Sequence, residues 1–164
     1  MSTQAFFMLH VDDDSNDLLL LEHASRAAGM DYLIQSCNDG ETAIAYLSGN
    51  GVYADRKLHP LPTLVLLDLK MPRQSGFEVL AWIRNHPYFK KLMVIVFTSS
   101  RHQEDVDRAY ALGANAYLVK PVGFDRLVEV IKILDAWLKL NEKPTIPPLF
   151  SYCPPPAVHG MLPA

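Results

Sequence analysis

Five times along this chain a short apolar run gives way to a polar or glycine-marked turn and then to a segment of helical period. That alternation limits the fold more than any other feature, because strands need neighbours in a sheet and amphipathic helices need a sheet face to cover. Strands are expected over Phe6 to Val11, Tyr32 to Ser36, Thr63 to Leu67, Met93 to Phe97 and Ala116 to Val119. All are rich in the apolar and β-branched residues that parallel strands buried on both faces require. Ser15 or Asn16 opens the first helix and Gly29 ends it; Asp39 opens the second, Ser75 the third, and Gly113 closes the fourth. The fifth helix runs from Phe124 to Leu140, where Leu127, Ile131, Leu134 and Leu138 form an apolar stripe for the sheet.

Val130, Ile133, Trp137 and Leu140 form a second stripe on that helix, to be covered either by the chain's own tail or by a partner. From Pro144 the composition changes, with seven of the twelve prolines in the last twenty-one residues, so the backbone there is semi-extended and forms no further domain. One domain is therefore expected over residues 1–141, and over 142–164 a Pro-rich tail with no output domain, whose Leu149, Phe150 and Tyr152 are candidates to dock on the second stripe. The polar stretch Ser48 to Pro62 connects the second helix to the third strand at the strands' amino ends. It reads as an insertion in a tolerant loop, remote from the expected site.

A chain of 164 residues with 49% apolar and 20% charged residues buries one ordinary core without disulfides. Its net charge of −3 offers no basic footprint for a phosphate backbone, so direct nucleic-acid binding is set aside. Cys37 and Cys153 match no metal or redox spacing and read as unpaired thiols of a reducing compartment, the cytoplasm. The run Ala5 to Met8 is too short for a membrane span and lacks a basic leader, so no membrane contact is expected.

The informative polar residues follow strands: Asp12, Asp13 and Asp14 after the first, Asp68 after the third, Thr98 after the fourth and Lys120 after the fifth. In an open parallel sheet ligands bind outside the carboxyl ends, where strand order reverses, and an order of 2-1-3-4-5 sets strands one and three side by side there. Carboxylates crowded in this way need a cation among them. All-oxygen ligands with no Cys or His cluster favour Mg²⁺, with Mn²⁺ able to replace it. Asp68, emerging from Leu64-Val65-Leu66-Leu67, is a candidate phosphoryl acceptor, with Lys120 and Thr98 placed to meet the phosphoryl oxygens. Taken singly, an Asp pair caps a helix, a threonine ends a strand and a lysine is solvated; their joint placement carries the reading.

Val11-Asp12-Asp13, Leu67-Asp68-Leu69-Lys70-Met71-Pro72, Phe97-Thr98-Ser99 and Tyr117-Leu118-Val119-Lys120-Pro121 resemble, in order and spacing, the motifs of response-regulator receiver domains, over roughly Phe6 to Leu140. The resemblance implies a flavodoxin-like α/β fold and a stand-alone regulator of a two-component phosphorelay. It would take a phosphoryl group on Asp68 from a phosphohistidine and change its partner binding. It implies Mg²⁺ held by Asp13, Asp68 and the Lys70 main-chain carbonyl, with Asp12 acting near the metal through water. It also implies Thr98 and Tyr117 as the switch pair and a cis bond between Lys120 and Pro121. Gly76 fits the family's turn into the third helix, while Lys70 and Ser100 occupy the positions that tune acyl-phosphate hydrolysis. The partner implied is a sensor histidine kinase or histidine phosphotransferase. Thr98-Ser99-Ser100 and Lys120-Pro121-Val122 are also similar to regulators of bacterial phytochrome kinases, which suggests a homodimer through the fourth helix, fifth strand and fifth helix.

Three other readings compete. A haloacid-dehalogenase-like Mg²⁺ phosphatase would use Asp12 and Asp14, but the position two residues beyond Asp14, where that pattern has Thr or Val, is neither, and the chain leaves no room for a cap domain. A flavodoxin-like nucleotide binder lacks its Gly-rich phosphate loop, replaced here by three acids. A receiver-like adaptor without phosphorylation is opposed by the intact acceptor, acids, Thr98 and Lys120. Phosphorylation and dephosphorylation of itself, and no turnover of an independent substrate, is the expectation, so the chain is not read as an enzyme.

Overall fold

The computed structural model describes residues 6–30 and 33–142. Strands β1 (Phe7–Val11), β2 (Leu33–Cys37), β3 (Leu64–Leu67), β4 (Met93–Thr98) and β5 (Ala116–Val119) alternate with five helices. These are α1 (Ser15–Ala27), α2 (Gly40–Ser48), α3 (Gly76–Asn85), α4 (Gln103–Ala111) and α5 (Phe124–Leu140). The strands form one parallel sheet in the order β2-β1-β3-β4-β5, as the β-α alternation predicts. Strand and helix bounds match expectation to within a residue or so; Tyr32, the expected first residue of β2, lies outside the described residues, as does the whole Pro-rich tail with Cys153. Cys37 is a free, buried thiol.

Local chemistry explains the helix starts. Asp14, not Ser15, caps α1, its carboxylate accepting from the Asn16 N–H at 2.8 Å. Asp39 caps α2 through the Thr42 N–H at 2.7 Å, and Ser75 caps α3 in a reciprocal box with Glu78. Gly29, Gly49 and Gly113 take the left-handed conformation that ends α1, α2 and α4.

Alternation along the strands splits the core in two. Leu9, Val11, Val65, Leu67, Val94 and Val96 face α2, α3 and α4. Met8, Leu64, Leu66, Ile95 and Phe97 face α1 and α5, where Leu127, Ile131, Leu134 and Leu138 are buried as the first stripe requires. This parity decides where the polar residues beyond the strand ends point. Asp12 and Lys120 continue the rows that face α1 and α5, whereas Thr98 and Tyr117 continue those that face α4. The second stripe is open: Ile133 and Leu140 are 68% and 85% exposed, and a groove of about 420 Å³ runs between Val130, Ile133 and Trp137 and the β5 residues Ala116 and Leu118.

The loop from Ser48 to Pro62 lies at the amino ends of the strands, as expected, and is built into the fold. A short 3-10 turn (Gly51–Tyr53) follows α2. The Arg56 guanidinium caps the helix by donating to the Tyr46 and Leu47 carbonyls at 2.8 and 2.6 Å. The buried Tyr46 in turn donates to the Pro60 carbonyl at 2.8 Å.

One expectation is corrected. No cis peptide bond occurs among the described residues, so Lys120–Pro121 is trans. Trans is the lower-energy isomer of an X-Pro bond. The Lys120 N–H donates to the Thr98 carbonyl at 2.8 Å, extending the β4–β5 ladder by one rung, and this turns the lysine toward the acids without help from the isomer.

Candidate functional site

The sheet register assembles the site. Val11 pairs with Leu67, so Asp12 and Asp68 leave adjacent strands side by side, and Thr98 pairs with Val119 next to Lys120. The backbone continues this order, the Asp68 N–H donating to the Val11 carbonyl at 2.9 Å and the Asp12 N–H to that of Cys37 at 3.0 Å. Carboxylate oxygens of Asp12, Asp13 and Asp68 lie within 4.8 Å of one another. Asp12 and Asp68 are buried and Asp13 is exposed, which leaves the group a solvent-facing side. Asp14, which the sequence sets outside the pair, is the α1 cap and is not among the three.

Lys120 reaches this group as expected, but its ammonium is shared. It lies 2.6 Å from Asp12 Oδ2, 2.7 Å from Asp17 Oδ2 and 3.5 Å from Asp68 Oδ2. Burial works against its charge, yet the bonds to Asp12 and Asp17 outweigh burial and hold it above the ordinary lysine range. Burial pushes Asp12 up to about 6 despite the Lys120 hydrogen bond. Three clustered carboxylates share one ammonium, which Asp17 also claims, so the group carries more negative than positive charge. A hard divalent cation on the Asp12, Asp13 and Asp68 oxygens supplies what is missing, so the residues fit such an ion.

On the α4 side, Thr98 is fully buried at the end of β4, and the Tyr117 hydroxyl donates to the Ser100 carbonyl at 3.1 Å. The Lys70 backbone folds over Asp68, its amide nitrogen 3.4 Å from Asp68 Oδ1. The Lys70 side chain turns away to Asp105, with Nζ 2.9 Å from Oδ2, and the Ser100 hydroxyl donates to the same oxygen. The Ser100 bond, and after it Lys70, hold Asp105 below its usual range. Lys70, Asp105 and Ser100 thus bridge the loop after β3, the loop after β4 and the start of α4. On the expectation that Asp68 takes a phosphoryl group, Lys70→Asn should break the bridge, open Asp68 to water and speed acyl-phosphate loss several-fold, followed as decay of the phosphoryl adduct; an unchanged rate removes this role.

Two residues of the site were not singled out from sequence. The signal for Asp17 was its place in the first turn of α1, three residues beyond the cap. Asp105 occupies the corresponding turn of α4.

A family model for the response regulator receiver domain matches residues 8–132. The chain is a response regulator receiver. Among curated relatives of this receiver, Rcp1 of Synechocystis sp. (strain ATCC 27184 / PCC 6803 / Kazusa) is 33% identical over 133 residues, 80% of this chain and 88% of Rcp1. A "probable methanogenesis regulatory protein FilR2" of Methanothrix harundinacea (strain 6Ac) is 34% identical over 143 residues, 85% of this chain and 88% of the relative. The phosphorylated cyanobacterial phytochrome response regulator RcpA superposes with a TM-score of 0.78 at 31% identity, over 86% of this chain and 99% of its own. The Mn²⁺-bound form of response regulator Rcp1 does so with 0.75 at 32%, over 85% and 99%. The receiver fold, the affiliation with two-component signalling and the similarity to phytochrome response regulators stand on these matches; the phosphatase reading is not favoured.

Proposed function

We propose that this receiver takes a phosphoryl group from a phosphohistidine onto Asp68 and thereby changes what it binds. The convergence of Asp12, Asp13, Asp68 and Lys120 at the carboxyl ends of β1, β3 and β5 carries the reading. Asp13, Asp68 and the Lys70 carbonyl would hold Mg²⁺, with Asp12 near it through water; the ion would neutralise charge on the phosphoryl oxygens and orient the donor. An Asp68 carboxylate oxygen attacks phosphorus, the P–N bond breaks, and its electron pair returns to the donor imidazole, which takes up a proton. Lys120 meets one phosphoryl oxygen and the Thr98 hydroxyl another. As Thr98 turns inward, Tyr117 exchanges its bond to the Ser100 carbonyl for the space beside β4, and the face made by α4, β5 and α5 changes shape.

The partner proposed is a histidine kinase of the phytochrome type, or a histidine phosphotransferase, in the cytoplasm. No helix among the described residues is long and apolar enough to cross a membrane. Radiolabel passing from such a phosphorylated kinase to the wild type and not to Asp68→Asn supports the reading; transfer to both sinks it. Residues 1–141 form the receiver in this account, with 142–164 as an appended tail.

The open stripe on α5 supports self-association through α4, β5 and α5. Ile133, which lines the groove and is exposed, is expected to anchor it. Sedimentation of the phosphorylated protein should then show a dimer that Ile133→Asp converts to monomer; a monomer at high concentration in every state removes the dimer.

A further inference from the structure

Of the three carboxylates around the Lys120 ammonium, the one outside the candidate metal group is held nearly as closely as Asp12 and more closely than Asp68. Asp17 Oδ2 sits at 2.7 Å, against 2.6 Å for Asp12 and 3.5 Å for the acceptor Asp68. Asp17 does not belong to the group of oxygens that could hold a cation. It rises from α1 and, with Leu20, Phe97, Pro121, Phe124 and Leu127, lines a small cavity below the lysine. The lysine is therefore gripped from two sides, by Asp12 within the candidate metal site and by Asp17 outside it.

The two grips respond differently when the site is loaded. A divalent cation held near Asp12 through water competes with the ammonium for the charge of that carboxylate, and weakens their bond. A lysine side chain freed from Asp12 has a flexible four-carbon stem and gains entropy by leaving for water. Asp17 keeps its place on α1, a helix packed against α5. An ammonium has three donors, so a bond to Asp17 leaves two for the phosphoryl oxygens.

We infer that Asp17 is a positioning residue for phosphoryl transfer: it holds the Lys120 ammonium beside Asp68 once Asp12 is engaged by the metal. This rests on the reading of Asp68 as the acceptor. Asp17 itself touches neither donor nor metal and acts through Lys120.

Two measurements test it. The first is independent of phosphorylation. With ¹⁵N-lysine label, the Lys120 ammonium of the metal-free and the Mg²⁺-loaded protein is followed by proton-detected NMR. A protected signal in the wild type in both states, kept in Asp17→Glu and lost on Mg²⁺ addition in Asp17→Asn, is expected. A signal equally protected in Asp17→Asn with Mg²⁺ overturns the inference. The second is the rate of Asp68 phosphorylation by phosphoramidate against donor concentration. Asp17→Asn should lower the limiting rate roughly ten- to hundredfold, as misplacement of a catalytic group does, with donor half-saturation little changed and Asp17→Glu partly restoring the rate. In a Lys120→Met background the same substitution should cost nothing further. An equal further loss there, or a limiting rate within twofold of wild type in the single variant, refutes action through Lys120. Failure of the wild type itself to take a phosphoryl group instead brings down the acceptor reading together with this one.

Discussion

Replacing Gly76 by alanine is expected to destabilise the protein by about 3 kcal/mol, at the upper end of what overpacking costs, and to slow phosphorylation of Asp68 with it. A Cβ on Gly76 would stand 2.0 Å from the Asp68 carbonyl oxygen and 2.8 Å from both the Asp68 carbonyl carbon and Leu69 Cα. All three are backbone atoms, so no side chain can move aside. Either α3 must lift from the end of β3, where the Gly76 N–H now donates to the Leu69 carbonyl at 3.1 Å, or Asp68 must shift from the other acids. Gly40→Ala is the comparison. Its contacts are the Val79 Cγ2 methyl at 2.8 Å, which can yield, and the Gln74 carbonyl oxygen at 3.0 Å, a full ångström farther than the Asp68 oxygen is from Gly76, so a smaller loss is expected there. Urea unfolding of the two variants measures both; a Gly76→Ala midpoint equal to wild type contradicts the packing described for the acceptor.

His10→Leu should raise stability, and raise it more as the solution is made acidic. The imidazole is 1% exposed within the apolar layer under α1 and α5, and neither ring nitrogen has a protein hydrogen-bond partner. Burial, with Lys120 second, lowers its pKa from 6.5 to about 3. The charged groups that face it are Asp12, whose Oδ2 is 3.8 Å from Nε2, and Lys120. Below pH 6.5 the unfolded chain gains a proton here that the folded protein refuses, so the stability present above 6.5 drains away as pH falls toward 3. At pH 4 the loss is about 3 kcal/mol, from 1.36 kcal/mol per unit. Asp12 opposes it. With its folded value raised from 3.8 to about 6, its favourable contribution is full below 3.8 and lost as pH rises through 6. The two terms offset each other in the metal-free wild type, and removing His10 exposes the Asp12 term. Unfolding free energies in chelator should show the gap between His10→Leu and wild type widening by about 3 kcal/mol from pH 7 to pH 4; a gap independent of pH contradicts the buried neutral imidazole.

The fold was legible because its signals are periodic. Phe124 to Leu140 reads as a helix from one stripe, and that stripe is the buried one. The acids, Asp68, Thr98 and Lys120 were legible because a parallel sheet delivers whatever follows its strands to one edge, a rule that needs no side-chain geometry. Residues whose role depends on side-chain direction were not. Asp17 is an ordinary first-turn acid until β5 is known to bring Lys120 over α1, and Lys70 gives no hint in sequence that it turns to Asp105. His10 sits inside an apolar run and is absorbed by the strand pattern; only the fold shows it facing Phe97 with no hydrogen bond. The trans Lys120–Pro121 bond departs from what the resemblance implied, and the lysine reaches its acids regardless.

The most direct test of the central claim is the intact mass of the protein after incubation with acetyl phosphate or phosphoramidate, with and without Mg²⁺, for wild type and Asp68→Asn. A single phosphoryl adduct that requires Mg²⁺ and is lost in Asp68→Asn is the predicted result. An adduct that persists in Asp68→Asn, or none from either donor with Mg²⁺ present, would contradict it.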